Sequence, residues 1–157
     1  MRSKRIFALI ISILICELAG FLGSFFTVGS ISTWYATLAK PLLNPPSWIF
    51  APVWTTLYLL MGIAAFLVWK KGMDKKRAAL VVFAGQLFLN AVWSYIFFGL
   101  HNVSLAFIDL ALLWLALLAT MILFFKISKA AGWLLFPYIL WVSFAGYLNL
   151  SILLLNR

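Results

Sequence analysis

Residues 78–100 read AALVVFAGQLFLNAVWSYIFFGL, and the fold turns on how that run is understood. It holds no Asp, Glu, Lys or Arg, and at the helical rise of about 1.5 Å per residue it can cross a hydrocarbon core of roughly 30 Å. Gln86, Asn90 and Ser94 nevertheless recur at every fourth position, which stacks them on one helical face with Trp93 beside them. In hydrocarbon such a stripe must turn toward other helices. It serves either interhelical hydrogen bonds or the lining of a polar ligand site, and the spacing suits both.

Four further runs of the same kind flank it, at residues 6–26, 48–69, 103–125 and 132–155. Across the 157 residues, 66% are hydrophobic and 10% charged, too apolar for a globule dissolved in water. The runs are too long and unbroken for barrel strands. The expectation is an all-α membrane protein, a five-transmembrane-helix bundle forming one domain over residues 1–157. The net charge of +9 does not point to nucleic acid, because the basic residues fall in short clusters between apolar runs, at a membrane surface. The lone Cys16 excludes an intramolecular disulfide and reads as a packing or lipid-facing residue.

The first run follows Arg2, Lys4 and Arg5 and so has the outline of a secretory signal. Glu17 stands where a cleavage site wants a small residue, and the apolar run continues past it, so an uncleaved helix is expected. The connections are short except at residues 27–47, where Gly29, Ser30, Pro41, Pro45 and Pro46 resist a continuous helix. Ten Lys and Arg fall on one side (Arg2, Lys4, Arg5, Lys70, Lys71, Lys75, Lys76, Arg77, Lys126, Lys129) and two, Lys40 and Arg157, on the other. The excess predicts a cytoplasmic N-terminus, with the long loop and the C-terminus opposite. No transit-peptide-like leader is evident, which favours a prokaryotic plasma membrane.

Glu17 and Asp109 lie inside predicted spans, where a carboxylate must be paired, hydrated or neutral. Both should face protein. No Lys occupies the middle of a span, so a structural role is favoured over an ion pathway. In the last run Tyr138, Trp141, Ala145, Asn149 and Ile152 share one face, Ala145 leaving a gap where Trp141 forms a wall. Trp34, Trp48, Trp69 and Trp133 suit an interfacial belt. Trp54, Trp93, Trp114 and Trp141 lie deeper; they are either core packing or the walls of a site for a large planar apolar ligand. The only histidine, His101, sits in a loop, so no metal site is expected. No phosphate loop and no nucleophile with a neighbouring histidine is present.

The ordered set Trp34-Tyr35, Leu38, Lys40-Pro41, Pro45-Pro46, Trp48, Phe50 and Pro52-Val53-Trp54 resembles the loop and second helix of the TspO/MBR family, the tryptophan-rich sensory and translocator proteins also called peripheral-type benzodiazepine receptors. The likeness continues through Gln86-Leu87, Asn90 and Trp93-Ser94, then Pro137-Tyr138, Trp141, Phe144-Ala145 and Leu148-Asn149, covering essentially the whole chain. It implies a five-helix bundle, often a homodimer, that takes porphyrins and in some relatives sterols and drugs in a pocket opening toward the long loop. Carried over by position, Trp54 and Trp141 would be aromatic walls, Asn90 the polar contact and Ala145 the small residue that leaves room. Trp34, Tyr35, Lys40 and Pro41 would form a lid, with Lys40 able to meet a ligand carboxylate. Tyr147 has no basic residue after it until Arg157, which lowers the expectation of sterol binding.

The expected function is therefore a membrane receptor or sensor whose ligand is a porphyrin or another hydrophobic small molecule, with transport a further possibility, no required cofactor and no nucleic-acid partner. The ligand-binding set is Trp54, Asn90, Trp93, Tyr138, Trp141, Ala145 and Asn149. One alternative is a light- and oxygen-dependent porphyrin-degrading enzyme with Trp54 and Trp141 as redox partners; another is a structural membrane protein without a ligand.

Overall fold

The computed structural model describes residues 2–71 and 73–157, apart from the side chains of Arg2, Met73, Asp74 and Lys75; Arg2 and Lys75, counted above on the basic side, thus fall outside the described side chains. A long helix α1 (Arg2–Ile31) is followed by a single turn α2 (Trp34–Thr37). A 3-10 turn at Ser47–Ile49 leads into α3 (Phe50–Trp69). Then α4 (Met73–Ser94) runs on through a π turn, Tyr95–Gly99. α5 (Val103–Ile127), the short α6 (Lys129–Leu134) and α7 (Phe136–Leu155) complete the chain. Among the described residues, five stretches are long and apolar enough to span a bilayer: Ser3–Ile31, Ser47–Trp69, Lys76–Gly99, Val103–Ile127 and Lys129–Leu155. Exposed side chains such as Phe7, Phe25 and Phe88 give the outside a surface suited only to lipid. The protein is an integral membrane protein with five stretches suited to span the bilayer.

The helix starts follow local chemistry. Asn102 caps α5 by accepting from the Leu105 amide at 2.9 Å, and Ser128 caps α6. Pro137 occupies the first turn of α7, where its missing N–H costs nothing. One expectation is corrected: α1 does not stop near Phe26 but continues through Gly29 and Ser30. The hydroxyl of Ser30 donates to the Phe98 carbonyl at 2.7 Å, in the π turn, where the regular ladder is interrupted. Thr27 donates to Gly23 at 3.1 Å and Thr33 to Gly29 at 2.9 Å. A glycine and a serine are weak helix formers, but packing against the π turn outweighs that propensity.

The helices form a ring: α1 packs on α3 and α4, α4 on α5, α5 on α7, and α6 closes the circuit onto α3. At the end carrying α6, small residues let the backbones meet. Ala64, Ala79 and Ala131 have no exposed surface, and neither do Met61, Val68, Leu117 and Phe124 around them. A Cβ added to Gly62 would sit 2.5 Å from the Ile13 Cα, so only glycine allows α1 and α3 that approach. Toward the long loop, α3 and α7 part, and the space between the helices holds the candidate site.

Candidate functional site

The floor of the site is a buried polar network. Asn90 Oδ1 accepts a hydrogen bond from the Tyr58 hydroxyl, and its amide nitrogen donates to the Tyr138 hydroxyl at 2.8 Å. Tyr138 in turn donates to Gln86 Oε1 at 2.9 Å. Three helices are tied at one level, and each amide is spent on a partner that would otherwise be orphaned in hydrocarbon. Gln86, Asn90 and Tyr138 are all buried.

Above this floor lies a cavity of about 430 Å³, a volume typical of small-molecule sites. α1 supplies one wall through Glu17, Gly20, Phe21, Ser24, Thr27, Val28 and Ile31, the i, i+3, i+4, i+7 stripe of a single helical face. Trp54 and Tyr58 face it from α3, Trp93 and Ser94 from α4, Phe97 and Phe98 from the π turn, and Trp141, Ala145 and Asn149 from α7. Trp54 stacks on Tyr58 with ring centroids 5.5 Å apart and also meets Tyr138 edge-on at 6.1 Å. Trp93 stacks on Phe97 at 5.0 Å, and Phe50 meets Trp141 edge-on at 6.0 Å. Asn149 accepts from the Trp93 indole at 3.2 Å while donating to the Val103 carbonyl at 3.0 Å, which fixes the plane of that tryptophan. Trp141 also borders a second, outer groove between α3 and α7, lined by Pro52, Leu60 and Pro137 among others. It is the partition between the two.

The loop end is held by its own polar contacts. Asn156 clasps Ala39, accepting from its amide and donating to its carbonyl, both at 2.9 Å. Tyr35 donates to Asn44 at 2.8 Å. Its hydroxyl is held above the usual tyrosine pKa by burial, an effect partly offset by the Asn44 hydrogen bond. Lys40 lies over the Tyr35 ring, 4.7 Å from its centroid, and donates to the Leu38 carbonyl at 3.0 Å. Trp34 stacks on His101 at 4.2 Å, His101 holding a left-handed φ of 54° in the turn after the π segment.

Of the residues singled out in the sequence, the structure brings Trp54, Trp93, Trp141, Ala145, Asn149 and Tyr35 together on the cavity. Asn90 and Tyr138 sit one layer below, and Trp34, Lys40 and Pro41 stand outside the lining. Cys16 is buried in the core, Asp109 is buried with Oδ2 unpartnered, and Glu17 faces the cavity. The α1 wall, Tyr58 and the π-turn phenylalanines were not among the sequence-derived candidates. The α1 stripe at positions 17, 20, 21, 24, 27, 28 and 31 is a signal that was present in the spacing. No cluster of three metal-ligating side chains occurs among the described residues.

The profile of the TspO/MBR family matches residues 12–155. The tryptophan-rich protein TspO of Chlorobaculum tepidum is 46% identical over 158 aligned positions, covering 98% of this chain and 99% of that one. TspO of Archaeoglobus fulgidus is 43% identical, covering 97% and 99%. The translocator protein of Bos taurus is 42% identical, covering 87% of this chain and 82% of the relative.

Proposed function

Because this chain belongs to the TspO/MBR family, a family of membrane sensors and translocators, we propose that it is a receptor for porphyrins and related flat hydrophobic molecules, bound between the helices. The observation that carries this reading is one cavity of about 430 Å³ bounded by Trp54, Trp93 and Trp141 from three different helices. Three indoles around one space give a planar ligand stacking and edge contacts beyond simple area burial. Ser24, Ser94 and Thr55 add hydroxyls with which to orient it. Ala145 supplies the room, and Lys40 in the long loop would meet a propionate after leaving the Leu38 carbonyl.

The test is titration of protoporphyrin in the dark, followed by quenching of tryptophan emission in nanodiscs, for the wild type and Ala145→Phe. Saturable one-site quenching in the wild type, lost when a phenyl ring fills the cavity, is the expected result. Linear quenching that is identical in both proteins would mean partition into lipid and would overturn the proposal.

One observation favours the degrading-enzyme reading of the same site. The Trp54 to Tyr58 stack continues through Asn90 to Tyr138, a row of oxidisable rings leading away from the ligand. Under illumination in air, Trp54→Phe would then stop formation of a defined product while dark affinity stays within about threefold; product and affinity falling together would remove this reading.

A further inference from the structure

Glu17 is the only Asp, Glu, Lys, Arg or His among the described residues that line the cavity. It makes no hydrogen bond or ion pair with a described residue, whereas the lining hydroxyls of Ser24, Thr27, Thr55 and Tyr58 and the Asn149 amide are all hydrogen-bonded. The α1 stripe runs from Glu17 to Ile31, which at helical rise is about 21 Å. Ile31 and Tyr35 mark the loop end, so Glu17 stands at the opposite, deep end. There it lies one turn before Gly20, whose backbone rests against the Tyr58 ring; a Cβ at that glycine would fall 2.2 Å from the ring. The deep end therefore combines one unpartnered carboxyl with the Tyr58 ring, on which Trp54 stacks.

An unpaired carboxyl in an apolar cavity is costly when charged and accepts a cation readily. Aromatic faces beside it add cation–π attraction for the same ligand group. We propose that Glu17 makes the cavity selective for flat aromatic ligands carrying a basic nitrogen at the inserted end, and turns acidic ligands so that their carboxylates point out toward the loop. This rests on the reading that the cavity is the binding site, and it is compatible with porphyrin: the propionates face the loop and the apolar edge faces Glu17.

The experiment uses three probes with one aromatic body, 1-pyrenemethylamine, 1-pyrenemethanol and 1-pyrenecarboxylate, read at pH 7 by energy transfer from tryptophan. The full-length protein sits in phosphatidylcholine nanodiscs, with empty discs subtracted. The amine is expected to bind about tenfold more tightly than the alcohol, and the carboxylate more weakly than either. Glu17→Gln should bring the amine to within about threefold of the alcohol, with the amine's affinity falling far more than the alcohol's changes. Glu17→Met should do the same, so that a folding defect in one variant does not decide the matter. Saturable alcohol binding with no amine preference, or a preference that survives both substitutions, overturns the role of Glu17 and leaves the cavity reading standing. No saturable binding of any probe overturns both.

Discussion

The two ends of this bundle are built from the same apolar alphabet, yet one is solid and the other hollow. At the end carrying α6, Gly62, Ala64, Ala79 and Ala131 face their neighbours and the helices touch backbone to backbone. At the loop end the facing positions are Trp54, Trp93, Trp141 and Phe97, and the helices stand apart around empty space. In a bilayer there is no hydrophobic gain from bringing helices together, since lipid is as apolar as leucine; close packing of small residues and interhelical hydrogen bonds hold them instead. Residue size thus decides where the bundle is glued and where it is propped open. The Asn90 network, which joins α3, α4 and α7, marks the border.

If this contrast is right, the largest effect should come from putting bulk into the solid end. Gly62→Val places a Cβ 2.5 Å from the Ile13 Cα, a backbone atom that cannot rotate away. The expected cost is about 3 kcal/mol or more, at the top of the range for overpacking, seen as a large fall in thermal unfolding midpoint in detergent. Next comes the border. Asn90→Leu leaves the Tyr58 hydroxyl without its acceptor and removes one of the two partners of Tyr138. A loss of about 2 kcal/mol is expected, with porphyrin affinity falling as well because Tyr58 forms part of the cavity wall.

At the hollow end the same class of change should act on binding more than on folding. Trp141→Ala would ordinarily be costed at about 3–5 kcal/mol for a close-packed tryptophan. This indole has the cavity on one side and the outer groove on the other, so about 1 kcal/mol is expected in unfolding experiments. Porphyrin affinity should drop at least about tenfold, because the partition between cavity and groove is gone. A stability loss as large as that of Gly62→Val would show that the hollow end is in fact close-packed.

The contrast was only partly legible in the sequence. Run lengths revealed five spans, because hydrocarbon leaves the backbone no alternative to helix. Spacing placed Gln86, Asn90 and Ser94 on one face, but not the division between them, in which the two amides serve tyrosines of other helices and Ser94 meets the cavity. That depends on α3 and α7 arriving at the same level, a long-range fact absent from any local pattern. Gly29 and Ser30 read as helix breakers because their propensities are weak; the Phe98 carbonyl exposed by the π turn, 68 residues away, accepts from Ser30 and holds the helix. The π turn itself had no signature in its run of Tyr95, Ile96, Phe97 and Phe98.

A smaller effect tests whether the loop end is held down independently of the helices. Burial raises the Tyr35 pKa, so the docked loop prefers the neutral hydroxyl. Docking is at full strength below the ordinary tyrosine value of about 10 and weakens as pH climbs from there toward the raised value. Trp34 emission, sensitive to its stack on His101, should change as the pH rises above the ordinary tyrosine value of about 10 in the wild type. In Tyr35→Phe, which has no proton to lose, that change should be absent. An alkaline transition that persists in Tyr35→Phe would assign it to another group.

The smallest effect probes the last turns of α1. Gly29 has nothing within 4 Å of where a Cβ would stand, in contrast to Gly62 on its crowded face. Gly29→Ala should therefore raise stability by about 0.5 kcal/mol, since alanine loses less backbone entropy than glycine on entering a helix, and porphyrin affinity should not move. The comparison is informative because both substitutions put a Cβ on a spanning helix, at Gly62 against the backbone of α1 and at Gly29 into open space. Weakened binding in Gly29→Ala would mean that the segment from Thr27 to Ile31 must unwind to admit a ligand, and the hollow end would then be a moving part rather than a standing cavity.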